Sequence, residues 1–246
     1  MIKLNPLSSD HGNLDRSHIF RGARLLLDGL VDYGPIPLTS SGRFNRTIVI
    51  WAAKNFDWPN ETLEKLRILT KAPNENDFQP LSLLHKLLEE LKLGVRVKNR
   101  FYITDLGCTL RQKHLDLFTL IVPYFLLNVR NNTLERMKAE TNIHWDWGRV
   151  IDIVDGTFDQ EIAREKLCVA LFGSQCATDR QRFHAKMETS FGIMKPLFWA
   201  GLLVEYQNAG KFDLEEVFGK SELWPALVSL RSDGLLQHAE RSTHSK

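Results

Sequence analysis

Apolar residues recur at helical spacing along most of this chain, and in two places the pattern switches to a period of two. Ile19, Ala23, Leu26, Leu27 and Leu30 predict a helix ending near Asp32, with Asp15 or Ser17 placed to cap it. Tyr33-Gly34-Pro35 stops that helix. A second helix is expected over 44–56, capped by Ser40 or Ser41, with Phe44, Ile48, Trp51 and Ala52 on one face. Trp58-Pro59-Asn60 breaks the pattern, and a short helix over 61–71 turns Leu63, Leu66 and Leu69 inward. The clearest amphipathic helix spans 81–93: Leu81, Leu84, Leu87, Leu88 and Leu91 alternate with His85, Lys86, Glu89, Glu90 and Lys92, and Gly94 reads as its C-terminal stop. Residues 95–104 then read as a hairpin turning at Lys98-Asn99-Arg100 and ended by Asp105-Leu106-Gly107. The most apolar run, 115–129, contains Asp116, Pro123 and Asn128, so it predicts a buried helix kinked or broken near Pro123 and too short to span a membrane.

Beyond Asn128 the chain is more polar, which places a soft boundary near residue 130. Further helices are expected around 133–141, 158–172 and 179–200. The last ends at Gly201, and an extended segment, Leu202 to Tyr206, a turn at Gln207-Asn208-Ala209-Gly210 and a return strand from Lys211 to Leu214 follow. The stretches 81–104 and 183–214 thus share one grammar of helix, glycine, strand, turn and strand. A final helix is expected over 221–230, with Pro225 in its first turn. The expected architecture is mostly α, with two winged-helix-like units that each carry a small β-hairpin. They cover 15–130 and 131–236, between a flexible arm (1–14) and a frayed tail (237–246).

Composition narrows this little. A net charge of +2 gives no global pull toward nucleic acid or anionic lipid, so any such contact must be a local patch. The 3 cysteines, Cys108, Cys168 and Cys176, form no CxxC pair, which fits neither a disulfide framework nor a zinc site and suits a reducing cytoplasm. The opening residues, Met1-Ile2-Lys3-Leu4-Asn5-Pro6, lack the apolar core of a secretory signal.

One local patch exists. Lys92, Arg96, Lys98, Arg100, Arg111 and Lys113 surround the first hairpin, opposed in that window only by Asp105. A helix followed by a wing is the winged form of helix-turn-helix, in which the helix enters a major groove and the wing touches phosphate. These cations therefore mark a candidate contact to double-stranded DNA. The competing reading is that strand hairpins carry Lys and Arg to blunt their edges, and that Glu89 and Glu90 on the preceding helix would repel phosphate. That reading leaves a protein-interaction or scaffold module, with a protein partner or a second copy meeting apolar surface near Trp199 and Trp224. The second hairpin, carrying Glu205, Lys211 and Asp213, is not basic.

Several of these segments carry a resemblance. Pro37-Leu38-Thr39-Ser40-Ser41-Gly42-Arg43, the leucine helix, Phe101-Tyr102-Ile103-Thr104-Asp105-Leu106-Gly107, and downstream Phe191-Gly192-Ile193-Met194-Lys195-Pro196-Leu197 with Gly201-Leu202-Leu203 resemble a helical region of uncharacterised mobile-element proteins. That region accompanies plasmid pRiA4b Orf3-type domains. The resemblance spans about 30–215, and the Orf3-type domain itself is not evident. It implies a bacterial binding or regulatory protein and carries no catalytic residue, cofactor or metal.

Candidate chemistry is sparse. His144 and Asp146, with Asp152, Asp155, Asp159 and Glu161, could suggest a metal-dependent hydrolase, but their spacing follows no ligand rule. The same residues read as turn and helix-start positions around core tryptophans Trp145 and Trp147, with Asp155-Gly156-Thr157 as a turn. Cys168 and Cys176 read as buried, inert thiols. No glycine-rich phosphate loop is present. The sequence therefore predicts a non-enzymatic protein.

Overall fold

The computed structural model describes residues 14–128, 146–158, 161–173, 176–206 and 217–225. The chain is mostly helical, with two small antiparallel sheets, and it divides into two compact units at Phe125/Leu126. The expected arm and tail, the helix over 133–141 and the strand over 211–214 lie outside the described residues.

In the first unit, α1 (His18–Asp32) starts at Ser17, whose side chain accepts the Phe20 N–H, and stops at Tyr33, followed by Gly34 at φ 78. Strand β1 (Ile36–Pro37) precedes α2 (Arg46–Asn55) and α3 (Leu63–Leu69). The cap of α2 is Asn45, which accepts from Ile48 N–H, and not Ser40 or Ser41. Those serines sit instead in a tight loop between Leu38 and Phe44, which bridge each other. Helix α4 (Gln79–Glu90) leads into β2 (Gly94–Val97) and β3 (Arg100–Ile103). Then come α5 (Asp105–Gln112), capped by Thr104, and α6 (His114–Asn128). The hairpin ends at Ile103 and Asp105-Leu106-Gly107 is the first turn of the helix that follows, while α6 runs through Pro123 unbroken.

The core of this unit forms where α1 crosses α4. Ile19, Ala23, Leu26 and Leu27 of α1 and Leu81, Leu84, Leu87 and Leu88 of α4 are all fully buried. Gly22 lets the crossing close: a β-carbon there would lie 2.6 Å from Leu84 Cδ1. Phe20 meets Phe118 of α6 edge-on at 6.0 Å, and Phe44 meets Phe101 of β3 edge-on at 5.4 Å.

The second unit repeats the order of elements. Helix α7 (Trp147–Thr157) is capped by Asp146 and is followed by β4 (Ile162–Ala163), α8 (Arg164–Phe172) and α9 (Asp179–Met187). Seven π-helical residues, Glu188–Met194, join α9 to α10 (Lys195–Trp199), which leads to β5 (Leu203–Tyr206) and β6 (Val217–Lys220). The return strand described is therefore later than the expected 211–214. Asp155-Gly156-Thr157 is the last turn of α7, not a free-standing turn.

Both sheets have three strands rather than the hairpin's two, and both are wired alike. The orders are β1-β3-β2 and β4-β6-β5, all antiparallel. In each unit a short strand just after the first helix pairs with the last strand of the hairpin. These first strands are only two residues long, too short to show a period of two in sequence.

Candidate functional site

The first hairpin is built by specific local chemistry. Helix α4 ends at Leu91, where Lys92 takes a left-handed conformation, φ 59. Leu93 N–H donates to Leu88 O at 2.8 Å and Lys92 N–H to Glu89 O at 3.1 Å. That bond pair is a Schellman motif with lysine where glycine is usual. Gly94 plays a different part. A β-carbon there would run into the buried Phe101 ring, so the residue is glycine for space, not for turning. Lys98, φ 53, supplies the left-handed residue of the two-residue turn.

Register decides where the cations point. Val95 pairs with Tyr102 and Val97 with Arg100, whereas Arg96 pairs with Phe101. Side chains of one antiparallel pair share a sheet face and alternate along the strand. Arg100, Val95, Val97 and Tyr102 therefore lie on the outer face, and Arg96 extends from the opposite one. Lys92 and Lys98 sit at the two ends of β2. All of Lys92, Arg96, Lys98 and Arg100 are exposed, and among the described residues none forms an ion pair with a carboxylate. Polar contacts of the arginines are to carbonyls, Arg96 Nε to Lys98 O and Arg100 to Pro35 O, both at 3.4 Å.

Arg111 and Lys113 belong to another surface, the C-terminal end of α5, which packs on α1. Arg111 donates to Asp28 Oδ1 at 2.8 Å, and that hydrogen bond holds its guanidinium above the usual arginine pKa. Its charge is thus matched inside the molecule. Lys113 is exposed.

One contributor is not legible in the sequence. The Thr39–Arg43 loop is closed by Thr39 N–H to Arg43 O at 2.8 Å and Gly42 N–H to Thr39 O at 2.9 Å. Leu38 N–H donates to Asn99 O at 2.8 Å, which ties the base of this loop to the hairpin turn. Gly42 has φ 78, and a β-carbon on it would fall on the Arg96 guanidinium. Arg43 is exposed beside it. The sequence signal was a glycine between Ser41 and Arg43, legible as a turn but not as a neighbour of residue 96.

Beneath the loop, Glu75 is buried. It accepts the Phe44 N–H through Oε2 and bonds His85 Nδ1 at 2.9 Å through Oε1, while His85 packs between Phe44 and Phe101. This pair locks the loop to α4. The exposed side of α4 consists of Gln79, Lys86 and Glu90. Lys86 pairs with Glu90 at 3.8 Å, and Tyr124 OH donates to Glu90 at 3.3 Å.

In the second unit, Asp146 accepts the Arg149 N–H at 2.8 Å as a helix cap. Asp155 Oδ1 accepts from Lys220 Nζ at 3.2 Å and Trp224 Nε1 at 3.1 Å. His144 and Asp159 lie outside the described residues, and among the described residues no group of three His, Cys, Asp or Glu is placed to hold a metal ion. Burial pushes the Cys168 thiol up. No helix among the described residues is long and apolar enough to cross a membrane.

Residues 15–116 match the family described as Y4jL N-terminal domain. That match lies wholly within the first unit. The chain is also similar to the uncharacterized protein y4jL of Sinorhizobium fredii (strain NBRC 101917 / NGR234), with 28% identity over 159 residues, covering 65% of this chain and 72% of the relative. No solved structure matches.

Proposed function

We propose that this chain is a non-enzymatic binding protein of bacterial or mobile-element type, made of two winged-helix modules, and that its first wing contacts the phosphate backbone of double-stranded DNA. The module reading rests on the shared wiring: helix, short strand, helices, hairpin, with the short strand paired to the hairpin's far strand. The DNA reading rests on one observation. Residues 91–104 contain Lys92, Arg96, Lys98 and Arg100 and no Asp or Glu, and these cations lack carboxylate partners among the described residues. Exposed cations without internal partners are what counterion release requires. The free thiols suit a cytoplasmic setting.

The test is binding of purified protein to a random-sequence duplex at low and moderate salt. Affinity should collapse as salt rises and be lost in the Arg96→Gln, Lys98→Gln, Arg100→Gln variant. Equal affinity of that variant and the wild type would reject the reading.

A second reading draws on the outer face of the same sheet. Val95 is 44% exposed, Val97 48% and Tyr102 36%, an apolar surface of the kind protein partners cover. Under this reading the chain is an interaction or scaffold module without nucleic-acid binding, and Val95→Thr with Val97→Thr abolishes self-association or partner capture.

A further inference from the structure

The acid-free hairpin has an acid-free neighbour. Residues 33–46 also contain no Asp or Glu, and they carry Arg43 and Arg46. The Leu38-to-Asn99 hydrogen bond holds the Thr39–Arg43 loop against the hairpin turn, and the Arg96 guanidinium lies over the Cα of Gly42. We infer that the loop and the hairpin turn form one composite surface for the phosphate backbone of a DNA duplex, in which Arg43 is a phosphate contact and Gly42 positions Arg96, and that binding is independent of base sequence.

This rests on the reading of the hairpin as a phosphate contact and adds to it a second segment and a specificity. Three features of the surface fit phosphate. First, Arg43, Arg96 and Lys98 come together from two segments far apart in sequence, so the concentration of charge is a product of the fold. Second, the loop is rigid: Thr39 Oγ1 accepts the Arg43 N–H at 3.2 Å and donates to Arg43 O at 3.1 Å, so Arg43 projects from fixed backbone. Third, Ser40 is exposed on the same loop, and hydroxyls are common phosphate donors. Glu75, the carboxylate beneath the loop, is turned inward and engaged by the Phe44 N–H and His85.

Sequence independence follows from α4. A reading helix presents exposed polar side chains to base edges. Helix α4 exposes Gln79, Lys86 and Glu90 alone, and Lys86, its one exposed cation, is paired with Glu90. The acidic end of the helix would face duplex phosphate unfavourably, so contact concentrates on the loop and hairpin.

The experiment titrates fluorescein-labelled duplexes of unrelated sequence with wild type, Arg43→Gln, Lys98→Gln and the double variant Gln79→Ala, Lys86→Ala, over a range of salt. All the substituted positions are exposed, and unchanged thermal unfolding verifies that the variants fold. Arg43→Gln and Lys98→Gln should each weaken binding equally across sequences and flatten the slope of log affinity against log salt by about 0.9. The α4 variant should bind as wild type does, and wild-type affinities for the duplexes should agree within about tenfold, far below the 10³-fold or more typical of specific sites. A slope unchanged in Arg43→Gln but flattened in Lys98→Gln overturns the composite surface and leaves the hairpin contact standing. Strong preference for one duplex, lost in the α4 variant, overturns sequence independence. Absence of wild-type binding to every duplex overturns the hairpin reading itself.

Discussion

The α1–α4 crossing makes a quantitative prediction about Gly22 and Leu84. A methyl placed on Gly22 would lie 2.6 Å from Leu84 Cδ1 and 3.2 Å from Trp58 Cζ3. Leu84 is fully buried and cannot swing aside. Gly22→Ala therefore gains about 1 kcal/mol of helix propensity but meets an overpacking cost of roughly 1–3 kcal/mol, for a net loss of about 1 kcal/mol. Leu84→Ala alone leaves a cavity and costs about 3 kcal/mol. In the double variant the obstructing Cδ1 is gone, and only the edge of Trp58 must yield by a few tenths of an ångström. The methyl added at position 22 then refills part of the cavity, worth about 0.8 kcal/mol, and the gain in helix propensity is kept. Gly22→Ala should thus switch from destabilising to stabilising when Leu84 is already replaced by alanine, a coupling of about 3 kcal/mol. Urea unfolding followed by tryptophan fluorescence, read on the transition that carries the first unit, measures all four corners. Additive effects, within about 0.5 kcal/mol, would refute the packing argument.

Other groups give independent checks. His18 is depressed from 6.5 to about 4, chiefly by burial and then by the Arg21 cation, with Asp57 opposing. A depressed histidine is neutral when folded, so its stabilising effect is complete above pH 6.5 and is lost as pH falls toward 4. Stability should drop by roughly 3 kcal/mol across that window, and His18→Gln should remove the drop, as pH-dependent urea midpoints would reveal. Cys108 is exposed and Cys168 buried, so iodoacetamide should label Cys108 in the native protein and Cys168 only after unfolding; mass spectrometry of tryptic peptides reads the order. Glu75→Ala orphans the Phe44 N–H and the ring of His85, at a cost on the order of 3 kcal/mol in thermal or urea unfolding, while Glu75→Gln, which keeps an acceptor, should cost less.

Much of the first unit was legible from periodicity and caps. The leucine face of α4, the Ser17 cap of α1 and the period-two hairpin are signals carried by neighbouring residues, and each appears where those signals fall. What escaped depends on partners distant in sequence. Strand β1 exists only because β3 hydrogen-bonds it, and two residues carry no period. Gly94 looked like a helix stop, whereas Lys92 turns the chain and Gly94 makes room for Phe101. Gly156 looked like a turn, yet a β-carbon there would meet only open space, and α7 simply tolerates it near its end. Along the chain the candidate patch forms one cluster. In space Arg111 is matched by Asp28, Arg96 and Arg100 extend from opposite faces, and Arg43, outside the sequence window, stands beside Arg96's resting place.

We propose that duplex DNA docks on the first hairpin and the loop beside it. Amide hydrogen exchange, with and without a saturating random duplex at low salt, tests it directly. Added protection confined to 36–44 and 94–104, and erased by moderate salt, is the predicted result. Protection centred on the exposed side of α4, or in the second unit with none at the hairpin, would contradict it.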